Sequence, residues 1–335
     1  VVFDPQFYAT MITPARDGKL PDYTQYYRPN LTRHDFMSAA NIQRYAQETL
    51  DFQYGLNLTG IYSPTIEVLG MSDVTSQIAM QLAEASVEHH SASGDNRPLS
   101  LSFLFGAAAL DNMDDLEAFL DNITLLDGAG FYVMVNRGPE SYTQGFSDVR
   151  LAHWMYLVYT LGVINKFSVT CGYSDLVSLA LTAAGASKVA TGWHHGLRQF
   201  SFRRFRPSSG GGPARPRYTS GPVLNSILAS ELDQAIDADV DDELRSGTDY
   251  DDEFSIDNWP PLEQVLHHWQ TIAELVEDLE PMTVDDATNR LIDLCDEAEG
   301  HRPAATMAGV EFETSFDHLD QWRNAIDLFR DTVGL

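Results

Sequence analysis

Short apolar runs alternate with amphipathic segments through the first 200 residues of the chain. The clearest unit spans residues 166–192, where KFSVTCG, SDLVSLALTAAG and ASKVATG predict a strand, a helix and a second parallel strand joined by short loops. Near-continuous apolar strands that alternate with helices indicate a parallel sheet covered on both faces. The sequence therefore predicts an α/β fold.

Six strands are expected before residue 200, and their number favours a (β/α) barrel of the TIM type over an open sheet. They are predicted at residues 7–14, 60–69, 99–106, 131–136, 166–172 and 187–192. Helices are predicted between them at residues 34–54, 73–89, 114–126 and 147–162. A seventh strand is expected near residues 218–224, and only residues 307–313 offer an eighth. We therefore predict an irregular or incomplete barrel.

Composition divides the chain into three parts. Residues 1–236 carry the strand and helix pattern and are predicted to form the barrel core. Residues 237–258 contain ten carboxylates and no apolar periodicity, which predicts a solvated acidic loop. Residues 259–335 contain three plain helical patterns, at 261–278, 284–298 and 316–332, which we expect to pack on or complete the barrel as an appended layer.

The whole chain is strongly acidic, with 49 Asp and Glu against 21 Lys and Arg, and only three of the basic residues are lysines. A dense carboxylate surface suits a salt-rich interior, where ions screen self-repulsion, so we expect a halophilic source. The two cysteines form no CxxC motif, and the start of the chain lacks the pattern of a secretory leader. No apolar run approaches the roughly 18 residues that span a bilayer. These features predict a cytoplasmic protein without membrane association.

Positive charge is concentrated in residues 176–230, which we call the basic window. It holds Lys188, six arginines and no acidic residue, whereas the other 280 residues hold 14 basic and 49 acidic residues. Exposed arginines add little to stability, so an anionic ligand is the simplest physical reason for the clustering. Arginine interleaved with phenylalanine between Phe200 and Arg206 suits phosphate binding and base stacking. The alternative is an amphipathic strand whose arginines pair with the acidic surface.

Candidate site residues follow the predicted strands, because ligands of parallel α/β folds bind beyond the carboxyl ends of the strands. For proton transfer we predict Asp17 or Asp175 together with His194 or His195, and Glu67 is a further candidate carboxylate. Neighbouring histidines in an extended segment point in opposite directions, so no metal site is predicted, and no cofactor is assigned. The predicted phosphate or substrate ligands are Arg16, Asn136, Arg137, Tyr173, Trp193, Arg198, Arg203, Arg204 and Arg206.

These features lead us to expect a barrel enzyme, a transferase or hydrolase, that acts on a phosphorylated or nucleic-acid substrate. Paired carboxylates suit glycosidic-bond or base-exchange chemistry. Base-exchanging transglycosylases also use a barrel and paired aspartates, but neither their motifs nor a cysteine-rich zinc site occurs here. The alternative is a non-catalytic nucleic-acid-binding or assembly protein on a degenerate barrel. In a third interpretation the basic window contacts an acidic partner protein or another copy of the chain in a homo-oligomer.

Overall fold

A parallel β-sheet organises the chain in a computed structural model, which describes residues 1–13, 20–138, 142–206 and 215–335. The order across the sheet is β1, β3, β4, β5, β6, with β2 pairing on the same side of β3 as β1. The sheet is curled and forms a half-barrel. Its strands are β1 (Ile61–Tyr62), β2 (Glu67–Val68), β3 (Leu99–Gly106), β4 (Gly130–Asn136), β5 (Ser168–Gly172) and β6 (Lys188–Ala190).

The strands β1 and β2 together occupy one position in the sheet, where a single strand over residues 60–69 was predicted. Ile61 pairs with Leu99, and Glu67 pairs with Leu104. The chain therefore advances six residues from β1 to β2 while β3 advances five, so the β1–β2 segment contains one extra residue. The extra residue is accommodated around Pro64, which has no N–H to donate to the ladder. The sheet therefore has five strand positions, all parallel.

The predicted α/β class is confirmed, and the predicted irregular or incomplete TIM-type barrel is a half-barrel and not a full TIM barrel. The described part of residues 7–14 contains a 3-10 helix, Phe7–Met11, in place of the first predicted strand. The predicted seventh strand is an antiparallel hairpin of β7 (Arg217–Ser220) and β8 (Asn225–Leu228), because Gly221 and Pro222 form a turn. The eighth is also wrong, because a helix continues to Met307 and residues 310–313 are not a strand.

The helices agree closely with the predicted pattern. Asp73 caps the helix that follows it by accepting hydrogen bonds from the backbone of Thr75 and Ser76, and that helix ends at Gly94 with a φ of 74°. The helices are α1 (Leu20–Tyr23), α2 (Ala39–Tyr54), α3 (Val74–Ser93), α4 (Met113–Ile123), α5 (Asp148–Tyr159), α6 (Ser178–Ala183), α7 (His195–Arg198), α8 (Ala229–Asp237), α9 (Pro261–Leu279), α10 (Val284–Met307) and α11 (His318–Val333).

Two different layers cover the sheet. Odd-numbered residues of β3 and β4, such as Phe103 and Val133, join the large core formed with the helices. Their even-numbered neighbours, such as Leu104 and Tyr132, pack in a second cluster with Tyr8, Phe200 and Phe205. The N-terminal 3-10 helix and the segment around residues 200–205 thus fill the face that a complete barrel would enclose.

The C-terminal helices form a layer on the outer side of this assembly. Helix α11 packs on α5, while α9 and α10 both pack on α6. The acidic segment before them is more ordered than the solvated loop that was predicted. It contains the 3-10 turns Asp241–Glu243 and Asp251–Glu253 and buries Leu244 and Asp251. Within the described ranges, no helix is long and apolar enough to cross a membrane.

Candidate functional site

Asp175 lies just beyond β5, at the carboxyl edge of the sheet, and is fully buried. Its Oδ2 atom accepts hydrogen bonds from the Tyr142 hydroxyl at 2.6 Å and from the side-chain amides of Gln144 and Gln199, each at 2.9 Å. Its Oδ1 atom has no hydrogen-bond partner. Three donors therefore fix the carboxylate by one oxygen and leave the other oxygen available.

The backbone around Asp175 adopts an uncommon conformation. Tyr173 has a φ of 56° and Asp175 a φ of 52°, both in the left-handed region that side chains other than glycine rarely enter. Such strain persists where the surrounding structure fixes it, and it concentrates at functional sites. Gly172 is also constrained, because a Cβ atom there would lie 2.5 Å from the ring of Tyr132.

Two buried arginines accompany Asp175. Arg137 follows β4 and is 7% exposed, and Arg198 ends α7 and is 4% exposed. Nη1 and Nη2 of Arg137 and Nε of Arg198 have no hydrogen-bond partner, whereas Nη1 of Arg198 donates to Oγ1 of Thr219 at 3.3 Å. Burial lowers the pKa of Arg137 in spite of the opposing charge of Asp175. Two buried guanidinium groups thus lie near one carboxylate.

The nearby histidines are neutral at neutral pH and add no further charge. Burial, assisted by Arg198 and Arg217, lowers the pKa of His195 to about 4, and burial and Arg198 lower the pKa of His268 well below its usual value. His268 Nε2 lies 3.9 Å from Asp175 Oδ1. The ring of His195 lies 3.9 Å, centroid to centroid, from the ring of Tyr142, and its Nε2 has no hydrogen-bond partner.

Asp175 itself is ionised in the folded chain. Burial alone would raise the pKa of this carboxyl. His268 when its ring is protonated, the charge of Arg198 and the hydrogen bonds from Tyr142 and Gln144 together outweigh burial and lower the pKa to about 2. The unpartnered Oδ1 atom therefore belongs to an ionised carboxylate.

Glu67 is a second carboxylate at the same edge of the sheet, with the opposite shift. Its Oε1 atom accepts a 2.7 Å hydrogen bond from the side-chain amide of Asn136. Burial raises the pKa of Glu67, and this effect exceeds the opposing influences of Asn136 and Arg206. Asn136 ends β4 and directly precedes Arg137 in the chain.

Arg204 packs within the aromatic cluster. Its guanidinium carbon lies 4.5 Å from the ring centre of Tyr173, 4.8 Å from that of Phe205 and 5.3 Å from that of Phe200. Tyr173 also donates a 2.9 Å hydrogen bond to Asp4. The amphipathic strand considered as an alternative is absent here, because Phe202–Phe205 is a 3-10 helix.

The other predicted site residues lie in different surroundings. His194 is exposed, and its Nδ1 accepts a 3.2 Å hydrogen bond from the backbone of Gly196 at the start of α7. Trp193 is 60% exposed, and the side chains of Arg203 and Arg206 are also exposed. Arg16 and Asp17 lie outside the described residues.

Sequence reasoning missed most of the partners of Asp175. Tyr142, Gln144 and Gln199 provide its donors, and neither tyrosine nor glutamine formed a recognisable motif. His268 lies on α9, far along the chain from the predicted strand ends. Packing of α9 against α6 brings it to the strand ends, which no local pattern could indicate.

Comparison with known proteins supplies no relative from which a role could be transferred. The chain matches no protein family, no curated protein and no solved structure. Among the described residues, no group of three or more His, Cys, Asp or Glu side chains is arranged to hold a metal ion. The geometry around Asp175 is therefore the basis for assigning a function.

Proposed function

We propose that the chain is a half-barrel enzyme acting on a phosphorylated or nucleic-acid substrate that binds at the carboxyl ends of the strands. The observation that carries the proposal is a buried group of atoms without hydrogen-bond partners: Oδ1 of Asp175, Nη1 and Nη2 of Arg137, and Nε of Arg198. An unpartnered buried polar group costs about 1–3 kcal/mol, so several in one place favour a ligand that satisfies them. Two guanidinium groups suit the oxygens of a phosphate.

The two carboxylates supply a basis for proton transfer. Asp175 has a lowered pKa and acts as the base or nucleophile, whereas Glu67 has a raised pKa and acts as the acid. Titratable groups whose surroundings move their pKa values apart are typical of an acid and base pair. Cleavage or exchange at a glycosidic bond uses such a pair of carboxylates. The role predicted for Asp17 remains a prediction.

A nucleic-acid substrate is favoured by the exposed side chains next to this site. Trp193 lies two residues before His195, and its exposed ring offers a surface on which a base can stack. Arg203 and Arg206 present charge to solvent in the same basic window. The proposed substrate therefore places a base or its phosphate near Asp175 and continues across this surface.

Binding is tested with labelled single-stranded and double-stranded DNA and RNA, by fluorescence anisotropy over a series of salt concentrations. The test variant is Arg203→Ala with Arg206→Ala, which leaves the packed Arg204 in place. The matched control is Arg33→Ala with Arg44→Ala, two exposed arginines outside the basic window. Loss of phosphate contacts should reduce the slope of log K against log salt by about 0.7–0.9 per arginine, and the control should keep the wild-type slope. Equal slopes in both variants would contradict the proposal.

Catalysis is tested by incubating the same nucleic acids with the protein and detecting released or exchanged base by mass spectrometry. Asp175→Asn should abolish turnover and preserve binding, because the amide keeps the shape of the carboxylate but cannot act as a base. Circular dichroism must show that the variant is folded. If wild type binds nucleic acid without turning it over, and Asp175→Asn binds equally well, the non-catalytic binding or assembly protein is the correct alternative. An acidic protein partner is favoured if no nucleic acid binds.

A further inference from the structure

An apolar groove lies between strand β6 and helix α9, separate from the side chains that surround Asp175. Its cavity volume is about 440 Å³. Val189 and Ala190 of β6 line one wall, and Trp269, Ile272 and Val276 of α9 line the other. None of these five side chains takes part in the proposed chemistry.

The groove exposes two features that folded chains usually cover. Strand β6 is the last in the sheet order and pairs only with β5 among the described strands, so its outer edge is open. Helix α9 presents an apolar stripe at helical spacing along this side, with Leu262 62% exposed and Trp269 42% exposed. Large exposed apolar side chains grouped in this way mark an interaction surface. Leu262, Leu266, Trp269, Ala273 and Val276 form the stripe.

The charges at this groove are self-complementary. Lys188, one of only three lysines in the chain, lies on the strand side, and Glu277 and Glu280 lie on the helix side. A twofold axis places the strand side of one copy opposite the helix side of the other, so each Lys188 meets the carboxylates of its partner. A surface with a lysine on one side and carboxylates on the other is therefore electrostatically complementary to the same surface of a second copy.

We infer that a second copy of the chain occupies this groove and forms a twofold dimer. The β6 edge of each copy lies against the α9 stripe of the other, and Trp269 is a central contact. This interface takes Lys188, Val189 and Ala190 from the basic window but neither Arg203 nor Arg206, so different variants test dimer formation and nucleic-acid binding.

The first experiment measures mass by sedimentation equilibrium over a wide range of protein concentration, at a salt concentration that keeps the chain folded. Wild type should shift from 37.3 kDa toward twice that mass as concentration rises. Trp269→Glu should weaken association at least tenfold, and so should Ala273→Glu, which changes only an exposed helical position. Met307→Glu is the control, because Met307 is 84% exposed and does not line the groove. A monomeric wild type, or equal association of all variants, would overturn the inference.

A charge exchange separates a second copy from any other occupant. Lys188→Glu should weaken the dimer because it places like charges opposite each other. Adding Glu277→Lys and Glu280→Lys to the same chain should restore association toward the wild-type constant, since both contacts then have opposite signs again. If the triple variant stays as weak as Lys188→Glu, the twofold arrangement is wrong.

Discussion

The hydroxyl of Tyr142 lies 2.6 Å from Oδ2 of Asp175 and donates to it. Asp175 has no exposure to solvent, and the ring of Tyr142 also contacts the ring of His195. The side-chain amides of Gln144 and Gln199 donate to the same oxygen, so all three donors bind Oδ2. The asymmetry matters because an ionised carboxylate with equal donors on both oxygens would have little capacity left to react.

Tyr142→Phe should destabilise the folded chain by about 1–3 kcal/mol at neutral pH, because the buried carboxylate loses one of its donors. Unfolding by guanidinium chloride, followed by circular dichroism, measures the change. Tyr156→Phe is the control, since its hydroxyl makes an exposed 3.2 Å hydrogen bond to Glu117, and its effect should stay within about 0.5 kcal/mol. Equal effects of the two variants would show that the Asp175 contact has no special importance.

Arg137→Met should weaken phosphate binding without lowering the stability of the unliganded chain. Removing a buried guanidinium whose terminal nitrogens have no partners should leave the unliganded chain equally stable or more stable. Inorganic phosphate should raise the melting temperature of wild type at constant ionic strength, and Arg137→Met should lack this rise. Arg215→Met, which removes an exposed ion pair with Glu313, should preserve the phosphate effect. Strong destabilisation of Arg137→Met with an unchanged phosphate effect would argue against an anion site here.

The local parts of the fold could be predicted because periodicity reports burial. Strand β3 coincides with the predicted residues 99–106, and the three C-terminal helices begin within two residues of their predicted starts. The strand predicted at residues 7–14 was wrong because Phe7, Tyr8, Ala9 and Thr10 are all buried. A short segment that is buried at every position has no periodicity that would distinguish a strand from a helix. The closure of a barrel depends on long-range pairing that no local pattern encodes.

The candidate site could be predicted only in part, for the same reason. Position after a strand identified Asp175 and Arg137, and the charge pattern identified Arg198. The pattern could not distinguish Arg198, which is buried beside Asp175, from Arg204, which packs among three aromatic rings. Thr219 and His268 join the site from β7 and α9, so their part depends on tertiary packing alone.

The folded chain should gain stability as salt concentration rises. The net charge of −28 produces self-repulsion that salt screens, with a Debye length of about 10 Å at 0.1 M and about 3 Å at 1 M. The thermal midpoint, followed by circular dichroism, should therefore rise with KCl concentration and then level off. NaCl should give nearly the same curve if screening is the cause. Full stability in dilute buffer would contradict a halophilic origin of this composition.

Stability should also fall as the pH is lowered from about 6.5 to about 4, because buried histidines stay neutral in the folded chain and take up protons when it unfolds. Burial lowers the pKa of His318 to about 4, and its ring is 1% exposed. A folded-state pKa below the unfolded value means that the unfolded chain binds more protons in this range, so each such histidine favours unfolding by up to about 3 kcal/mol at the acidic end. His268 and His195 act in the same direction.

His318→Gln tests this pH dependence at one position. The glutamine amide can still donate to the carbonyl of Leu224, as His318 Nε2 does at 2.9 Å, but it cannot bind a proton in this range. The free energy of unfolding, measured with denaturant at a series of pH values and constant salt, should therefore depend less steeply on pH than in wild type. His34→Gln, at an exposed position, should retain the wild-type slope. A slope unchanged in His318→Gln would mean that His318 does not contribute to acid sensitivity, and the remaining dependence would then be attributed to His195 and His268 beside Asp175.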